Sequence, residues 1–574
     1  MSHTPESKLD TDTYSTKEIS TVDVSPVESV PSSSLGHIPK RRFSPKSIAK
    51  SLVSKQAWFG DYDYAALFTP NIPFLCKSGQ LPFYGVEDEL PHFLTFILGL
   101  QHALAMVGGL VVPPLLLGGP AGANLGSSAQ MYLVSACLIW CSIGTAVQIS
   151  RHRIRGTKYY FGTGIISVVG TSFTFANIAL KYFSQCYENG TCPTAPDGTK
   201  LPCPREFGAV LGTGALTGLF AILLAFVPPK AIQRAFPPLI IGTMILFIGA
   251  SLVTSGITNW AGGSGPCKTD HTLLCSSGSQ SHHWGSAQYL GLGFSCFSVI
   301  VICEIFGSAF MKSASVFIGF VTGMIIAAAT GYFDGKVIQK APGGTFLFVH
   351  TFPLGLRGQL VLPMLASYAV IVAESIGNIT ASIQASNMPL EGPEFLSRIQ
   401  GGMLADAVSA ALANLCTITP LTTFAQNSAV IALTRNASRR SGYMCAAILF
   451  LMGIIGKFGA IFVAAPPAVI GGFTTFLFGS VAVSGIRIMA FAKWTRRDRF
   501  IATTSCALGL ASLVSPHWFN YIFTYNGPNT SLRGFLDAII LIVEEPYLIS
   551  SIIGVFLNLV LPAEIEDDTP APAH

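Results

Sequence analysis

The chain has 574 residues, of which half are hydrophobic and only 11% are charged, whereas ordinary soluble domains carry about 25% charged residues. Its mean hydropathy of +0.54 argues against a water-soluble enzyme, and its net charge of +5 is too small to indicate a nucleic-acid partner. Apolar runs of about 20 residues, each long enough to cross a bilayer, recur over residues 91–562. We predict one integral membrane domain there.

Two tails flank the predicted membrane domain. Residues 1–60 are rich in Ser, Thr and Pro and have no apolar run behind a basic start, so a cleavable signal peptide is not expected. We predict a disordered cytoplasmic tail over 1–60 and a membrane-proximal segment over 61–90. A second cytoplasmic tail, acidic and rich in Pro, is predicted over 563–574.

In chain order, the clear candidate spans lie near residues 92–112, 131–149, 206–227, 237–254, 287–307, 314–332, 361–379, 442–464, 468–486, 499–515 and 548–562. Three further candidates are weaker because they are short or rich in polar residues, and they lie near residues 159–180, 400–416 and 426–436. All of them together predict fourteen spans.

Charge placement predicts the orientation of these spans. Basic clusters at 151–158, 435–440 and 493–499 fall in loops on one side, which the positive-inside rule assigns to the cytoplasm together with both termini. The opposite loops carry the glycosylation sequons that begin at Asn189 and Asn529, as expected for an outer face.

Cysteines in the outer loops suit an oxidising compartment. Cys267 and Cys275 are one candidate pair, and at most one pair can close among Cys186, Cys192 and Cys203. The first pair has histidines nearby, but its spacing fits no zinc pattern. We therefore predict disulfides or free thiols, and no metal.

Several polar side chains lie inside predicted spans, where burial is costly unless they face a cavity or a partner. Glu374 is the strongest case, with Asn378 one helical turn away on the same face. Asp406 lies in the next, weaker span, and Gln101 and His102 lie in the middle of the first. The cost of burying an acid favours a functional role for Glu374, whereas His102 is explained equally well by bonding between helices.

The stretch from Thr417 to Ala425 is rich in β-branched residues and contains Pro420, so it favours an extended chain. The residues that follow favour a short helix with Gln426 near its start. A broken span results, and its helix amino terminus would present free N–H groups and a positive dipole end to a cavity. The weak span over 159–180 holds the corresponding third place in the first set of seven, which is typical of a repeated half with a midplane site.

The pattern Gln426-Asn427 followed by Thr434-Arg435, with Gln101-His102, Glu374 and Asp406 upstream, resembles that of the nucleobase-ascorbate transporters. The resemblance covers nearly the whole chain after residue 60 and is strongest to the fungal uric acid-xanthine permeases. It implies an all-α membrane protein with fourteen spans in two inverted repeats of seven, and short extended segments in spans three and ten. A core domain (spans 1–4 and 8–11) would carry substrate past a gate domain (spans 5–7 and 12–14) in an elevator-like movement.

The resemblance also implies a function and site residues. The family's activity would be proton-coupled uptake of purines, uric acid and xanthine, by a homodimer in the lipid of the plasma membrane, with the proton as coupling ion and no other cofactor. The residues that would hold the purine are Gln426 and Glu374, with backbone groups at Phe173 and Ala425. Those that would support the site or lie toward its cytoplasmic end are Asp406, Asn427, Thr434 and Arg435.

The chemistry of these residues suits the assignment. A Gln amide offers both a donor and an acceptor, so Gln426 can bond two positions on an oxopurine edge. Glu374 can accept a ring N–H when ionised and donate when protonated, which gives a route from proton occupancy to substrate binding. Phe173 or Phe424 could stack on the flat ring, and for Phe424 simple packing is an equal alternative.

This chain departs from the family pattern at a few positions. Ala429 replaces a usual Gly, Asn378 replaces a usual acid, and Glu544 with Glu545 makes the start of the last span more acidic. The alternatives are a carrier for another nucleobase or ascorbate, and an anion transporter of the same architecture, although Glu374 would repel a divalent anion. A membrane-embedded enzyme is not expected, because the spans contain no nucleophile-base pair or phosphate loop.

Overall fold

The computed structural model describes residues 54–562 except 73–80, 197, 271, 524, 526 and 528. The predicted tail over 563–574 and nearly all of the tail over 1–60 lie outside the described residues. Within the latter, Lys55–Phe59 forms a short helix, whose Trp58 ring lies 5.7 Å from the ring of His92. Aromatic packing therefore holds this short helix against the first long one.

The described residues are mainly helical. The helices of the first half are α1 (Lys55–Phe59), α2 (Tyr64–Phe68), α3 (His92–Gly118), α4 (Ser127–Ile149), α5 (Phe173–Glu188), α6 (Pro204–Leu224), α7 (Pro229–Ala235), α8 (Pro238–Trp260), α9 (Ala287–Phe306), α10 (Ala309–Ser313), α11 (Ser315–Ala329) and α12 (Lys336–Lys340). Those of the second half are α13 (Gly358–Ala385), α14 (Pro393–Leu415), α15 (Gln426–Thr434), α16 (Arg439–Ile454), α17 (Gly456–Val463), α18 (Pro467–Met489), α19 (Arg496–Val514), α20 (Thr530–Glu544) and α21 (Pro546–Val560).

Within the described ranges, six short strands form three antiparallel pairs. The strands are β1 (His152–Arg153), β2 (Tyr160–Phe161), β3 (Val169–Thr171), β4 (Cys275–Ser277), β5 (Gln280–His282) and β6 (Leu421–Thr423). The β1–β2 and β4–β5 pairs join neighbouring segments, whereas β3 pairs with β6 from the other half of the chain. The extended segments predicted in the two weak spans are thus present, and they pair with each other.

Within the described part of the chain, seven helices are long and apolar enough to cross a membrane, or up to nine if each of two bent pairs counts as one span. The fourteen predicted spans are therefore supported only in part. The span predicted near residues 442–464 is one of these bent pairs, because α16 and α17 meet at 77°. The backbone N–H of Thr345 bonds the carbonyl of Ile454 at 2.9 Å, so a neighbouring loop caps α16 where it ends.

The carboxyl-terminal part also differs from the prediction. The last span is predicted near residues 548–562, but a further helix, α20, begins at Thr530 and meets α21 at 86°. The Asn529 side chain caps α20 by accepting from the backbone N–H groups of Ser531 and Leu532, both at 3.1 Å. This cap and the apolar run over 538–543 are the signals that identify the helix.

Several groups of helices pack closely together. Helices α3, α4 and α16 pack together, as do α6, α13 and α14, whereas α8, α9 and α18 form another group, with α21 packed on α8 and α19. Glycines allow the close approach of α8 and α18: a Cβ at Gly249 would lie 2.7 Å from the carbonyl oxygen of Phe478, and one at Gly485 would lie 2.5 Å from that of Gly242. Small residues are typical of such contacts between membrane helices.

Two disulfides close the loops predicted to lie outside. One joins Cys192 to Cys203 and the other joins Cys267 to Cys275. Cys186 remains a free, buried thiol on α5. Of the two predicted alternatives, disulfides or free thiols, these two pairs are therefore disulfides.

Candidate functional site

The β3–β6 ribbon is the centre of the candidate site. Val169 pairs with Thr423 and Thr171 with Leu421, and the ribbon is extended by a hydrogen bond of 2.8 Å from Ser172 N to Pro420 O. Because the strands are antiparallel, α5 and α15 leave the ribbon at opposite ends and both begin next to it. Two helix amino termini, each the positive end of a helix dipole, therefore lie next to the ribbon.

Asp406 and Asn378 hold β6 by its backbone. The Asp406 Oδ2 atom accepts from Thr423 N at 3.1 Å, Thr423 Oγ1 at 2.7 Å and Ser375 Oγ at 2.6 Å. The Asn378 amide donates to Thr423 O at 2.7 Å. Both side chains are buried, so their role in this structure is to satisfy the outer edge of a two-stranded ribbon, which has no further strand.

Asn427 and Gln148 fasten the ribbon from other sides. The Asn427 amide donates to Ile166 O at 2.7 Å and to Ser382 Oγ at 3.1 Å. The Gln148 amide donates to Thr423 Oγ1 at 3.2 Å. Sequence reasoning missed Thr423, Ser375 and Gln148, although polar side chains in or beside the spans were the available signal.

Glu374 and Gln426 are different, because both side chains are only half-buried. The Glu374 Oε2 atom accepts a single hydrogen bond of 3.4 Å from Thr174 Oγ1, on the first turn of α5. The Gln426 amide makes no hydrogen bond within the part of the chain that the structure describes. Gln426 is the first residue of α15, and Glu374 lies beside the first turn of α5. Both side chains therefore keep hydrogen-bonding capacity for a ligand.

Backbone groups at the two helix starts are also available. Among the described residues, the N–H groups of Phe173 and Ala425 have no hydrogen-bond acceptor. The Ser172 side chain accepts from Phe175 N at 3.4 Å, and so caps α5 without using the N–H of Phe173. Unpaired N–H groups at helix starts favour a ligand that offers carbonyl or anionic oxygens.

The two aromatic candidates stack on each other. The ring centroids of Phe173 and Phe424 lie 5.9 Å apart with 14° between planes, and Phe478 meets Phe173 edge-on at 5.7 Å. The Phe424 ring also packs closely on Gly109 and Gly170, where an added Cβ would lie 2.8 Å and 2.7 Å from ring atoms. In this structure the contacts of Phe424 are packing contacts.

The remaining predicted residues lie away from this cluster or lack partners. Gln101 and His102 are fully buried on α3, and within the described residues none of their side-chain polar atoms has a hydrogen-bond partner. The Thr434 hydroxyl donates to Val430 O at 2.8 Å within α15. Arg435 ends α15 in the left-handed conformation, with φ of 53°, and is exposed.

A ribbon between helix starts, flanked by a half-buried acid and amide, defines a membrane transporter with discontinuous helices. Residues 93–517 match the model of the permease family. A purine permease of Emericella nidulans is 47% identical over 537 residues, which cover 92% of this chain and 93% of that protein. A uric acid-xanthine permease of the same fungus is 46% identical over 531 residues, 92% of each chain.

Among solved structures, the transmembrane domain of a cyanobacterial bicarbonate transporter matches with a TM-score of 0.48 and 14% identity, over 73% of this chain and 96% of that one. The sequence relatives and the family model establish the family of this chain without that structural match. The chain belongs to this permease family, the nucleobase-ascorbate transporters. It is a multi-pass membrane permease and not an enzyme, as the sequence predicts.

Proposed function

We propose that this permease takes up purines, uric acid and xanthine, across the plasma membrane, with protons as the coupling ion. The single observation that carries the proposal is the pair of half-buried groups, Glu374 and Gln426, beside the unpaired N–H groups of Phe173 and Ala425. The relatives named as purine and uric acid-xanthine permeases support the substrate class.

The geometry suits an oxopurine better than a simple anion. The Gln426 amide matches alternating N–H and C=O groups on the ring edge, while the N–H groups of Phe173 and Ala425 can bind its carbonyl oxygens. Glu374 accepts a ring N–H when ionised. A protonated Glu374 would instead donate, so proton occupancy changes which partner the acid can bind.

Transport requires that the site face each side of the membrane in turn. We propose an elevator-like movement in which a core domain (spans 1–4 and 8–11), containing α3–α6 and α13–α17, moves past a gate domain (spans 5–7 and 12–14), containing α8–α11 and α18–α21, within a homodimer. The separate packing groups around α3 and α8 support this division.

Uptake of radiolabelled xanthine and urate, in cells without their own carriers and at two external pH values, tests the function. Saturable uptake that rises in acid is expected. Glu374→Gln and Gln426→Ala should each reduce it by about 10- to 100-fold, because each loses about 1.5–3 kcal/mol of hydrogen bonding to substrate. The exposed Glu391→Gln and Gln339→Ala variants are matched controls.

Surface expression must be equal in all variants. If the native chain reaches the plasma membrane and carries no purine, the substrate assignment is wrong. Uptake of ascorbate, another nucleobase or an inorganic anion in the same cells would then identify the alternative carrier.

A further inference from the structure

A second group of acids lies at the 86° break between α20 and α21. Glu544 ends α20, Glu545 precedes α21, and their exposed fractions are only 5% and 1%. The ammonium of Lys181, on α5, lies 3.7 Å from Glu545 Oε1 and donates to the backbone carbonyl of Glu544. Neither acid belongs to the substrate site described above.

The charges at this break do not balance. Lys181 forms an ion pair with the carboxylate of Glu545 but contacts Glu544 only at its backbone carbonyl. The Glu544 Oε1 and Glu545 Oε2 atoms have no hydrogen-bond partner within the described residues. Burying an ionised carboxylate that has no partner is unfavourable, and such a group takes up a proton instead. A single proton shared by the two acids would neutralise the excess negative charge.

Other titratable groups near the break leave this imbalance in place. His517, in the loop after α19, and Glu188, at the end of α5, both act on Glu544 electrostatically. Both are exposed, and water screens such charges well. Tyr547 on α21 is the remaining titratable neighbour of Glu545, and its hydroxyl is already used as a donor to Thr174 O at 2.9 Å.

Helix α5 joins this break to the candidate substrate site. The Thr174 hydroxyl donates to Glu374 while the Thr174 carbonyl accepts from Tyr547. Lys181, seven residues further along the helix and about 10 Å away, reaches the two acids. Contacts with the break therefore hold α5 at both positions, and one of those positions touches the proposed purine-binding acid.

We propose that Glu544 and Glu545, together with Lys181, form a second protonation site, in which the two acids together hold one proton and α5 stays docked on the α20–α21 break. Loss of this proton leaves an uncompensated buried charge and loosens the contact. The inference goes beyond the proposed function, because it concerns acids outside the substrate site and can be tested with no substrate present.

Thermal melting of the purified full-length protein, at about pH 6 and about pH 8, provides the test. One proton that the folded state holds and the unfolded state releases changes the folding equilibrium by about tenfold per pH unit, so the native Tm should fall as pH rises. In Glu544→Gln and in Glu545→Gln this fall should shrink. It should persist in the control variants Glu391→Gln and His517→Gln, because both of these side chains are exposed.

Equal pH dependence in the native protein and both glutamine variants would overturn the proposal. If those variants do not fold, Lys181→Gln decides instead, because it removes the cation and leaves both acids. Its Tm should fall more steeply with pH than the native Tm, and an unchanged slope contradicts the site. Absence of purine uptake by the native chain would refute the proposed function without affecting this melting result.

Discussion

At the scale of single residues, two acids on neighbouring helices, Asp406 and Glu374, have different surroundings. Asp406 uses one carboxylate oxygen to accept three hydrogen bonds, from Thr423 and Ser375, whereas Glu374 accepts one long bond from Thr174. An acid that accepts several short hydrogen bonds from the fold is suited to holding structure, and one that accepts a single long bond is suited to binding a ligand. The two acids should therefore respond differently to substitution.

Asp406→Ala should destabilise the protein. The hydroxyls of Ser375 and Thr423 can rotate toward other acceptors, but the backbone N–H of Thr423 cannot, and an unsatisfied buried donor costs about 1–3 kcal/mol. Thermal melting in detergent measures the loss. Asp406→Asn keeps an acceptor and should lose less, so a native-like Tm for Asp406→Ala would show that the three hydrogen bonds contribute nothing.

Gly170→Ala should disturb the ribbon by displacing Phe424. The new Cβ would lie 2.5 Å from Leu110 Cδ2 and 2.7 Å from Phe424 Cε1, and overpacking of this kind costs about 1–3 kcal/mol. Phe424→Leu removes the ring and so makes room for the new methyl group. The loss of Tm in the double variant should therefore be smaller than the sum of the losses in the two single variants. Strict additivity in the double-mutant cycle would contradict a direct clash with the ring.

At the scale of elements, local chemistry predicted some features and tertiary contacts decided others. The extended segment before Gln426 followed from Pro420 and its β-branched neighbours, but its pairing with β3 joins distant parts of the chain, which local propensity cannot specify. The bend at Ile455 contains no proline and is stabilised by Thr345 from another loop. Site residues such as Glu374 were found because burying an acid is costly, whereas Thr423 and Ser375 carry no such cost.

The α8–α18 contact gives an element-scale prediction. Gly485→Val should sharply lower the yield of monodisperse protein in size-exclusion chromatography, because even a Cβ at this position would approach the Gly242 carbonyl to 2.5 Å. A Cβ added at Gly479, on the same helix, would have no neighbouring atom within 4 Å. Gly479→Val is therefore the matched control and should behave as native, and equal yields from both variants would show that close approach of α8 and α18 is not required.

At the scale of the whole molecule, the disulfides and basic clusters mark opposite ends. Ser277 Oγ bonds Tyr332 O at 3.2 Å, so the segment that leads to Gln339 lies at the end that holds the Cys267–Cys275 disulfide. The loop that contains Thr157 follows the carboxyl end of α4. This helix has 23 residues and is about 35 Å long. These two positions therefore report the orientation of the protein in the membrane.

Gln339→Cys should react with a membrane-impermeant maleimide on intact cells, and Thr157→Cys only after permeabilisation. Both side chains are exposed, while the free native cysteines in the described residues are buried or, for Cys506, half-buried. Because Cys76 lies outside the described residues, the native chain labelled in the same way is the control. The expectation rests on basic loops remaining in the cytoplasm and disulfides forming outside it. Labelling of Thr157→Cys on intact cells would reverse the orientation, and with it the side from which the proposed purine enters.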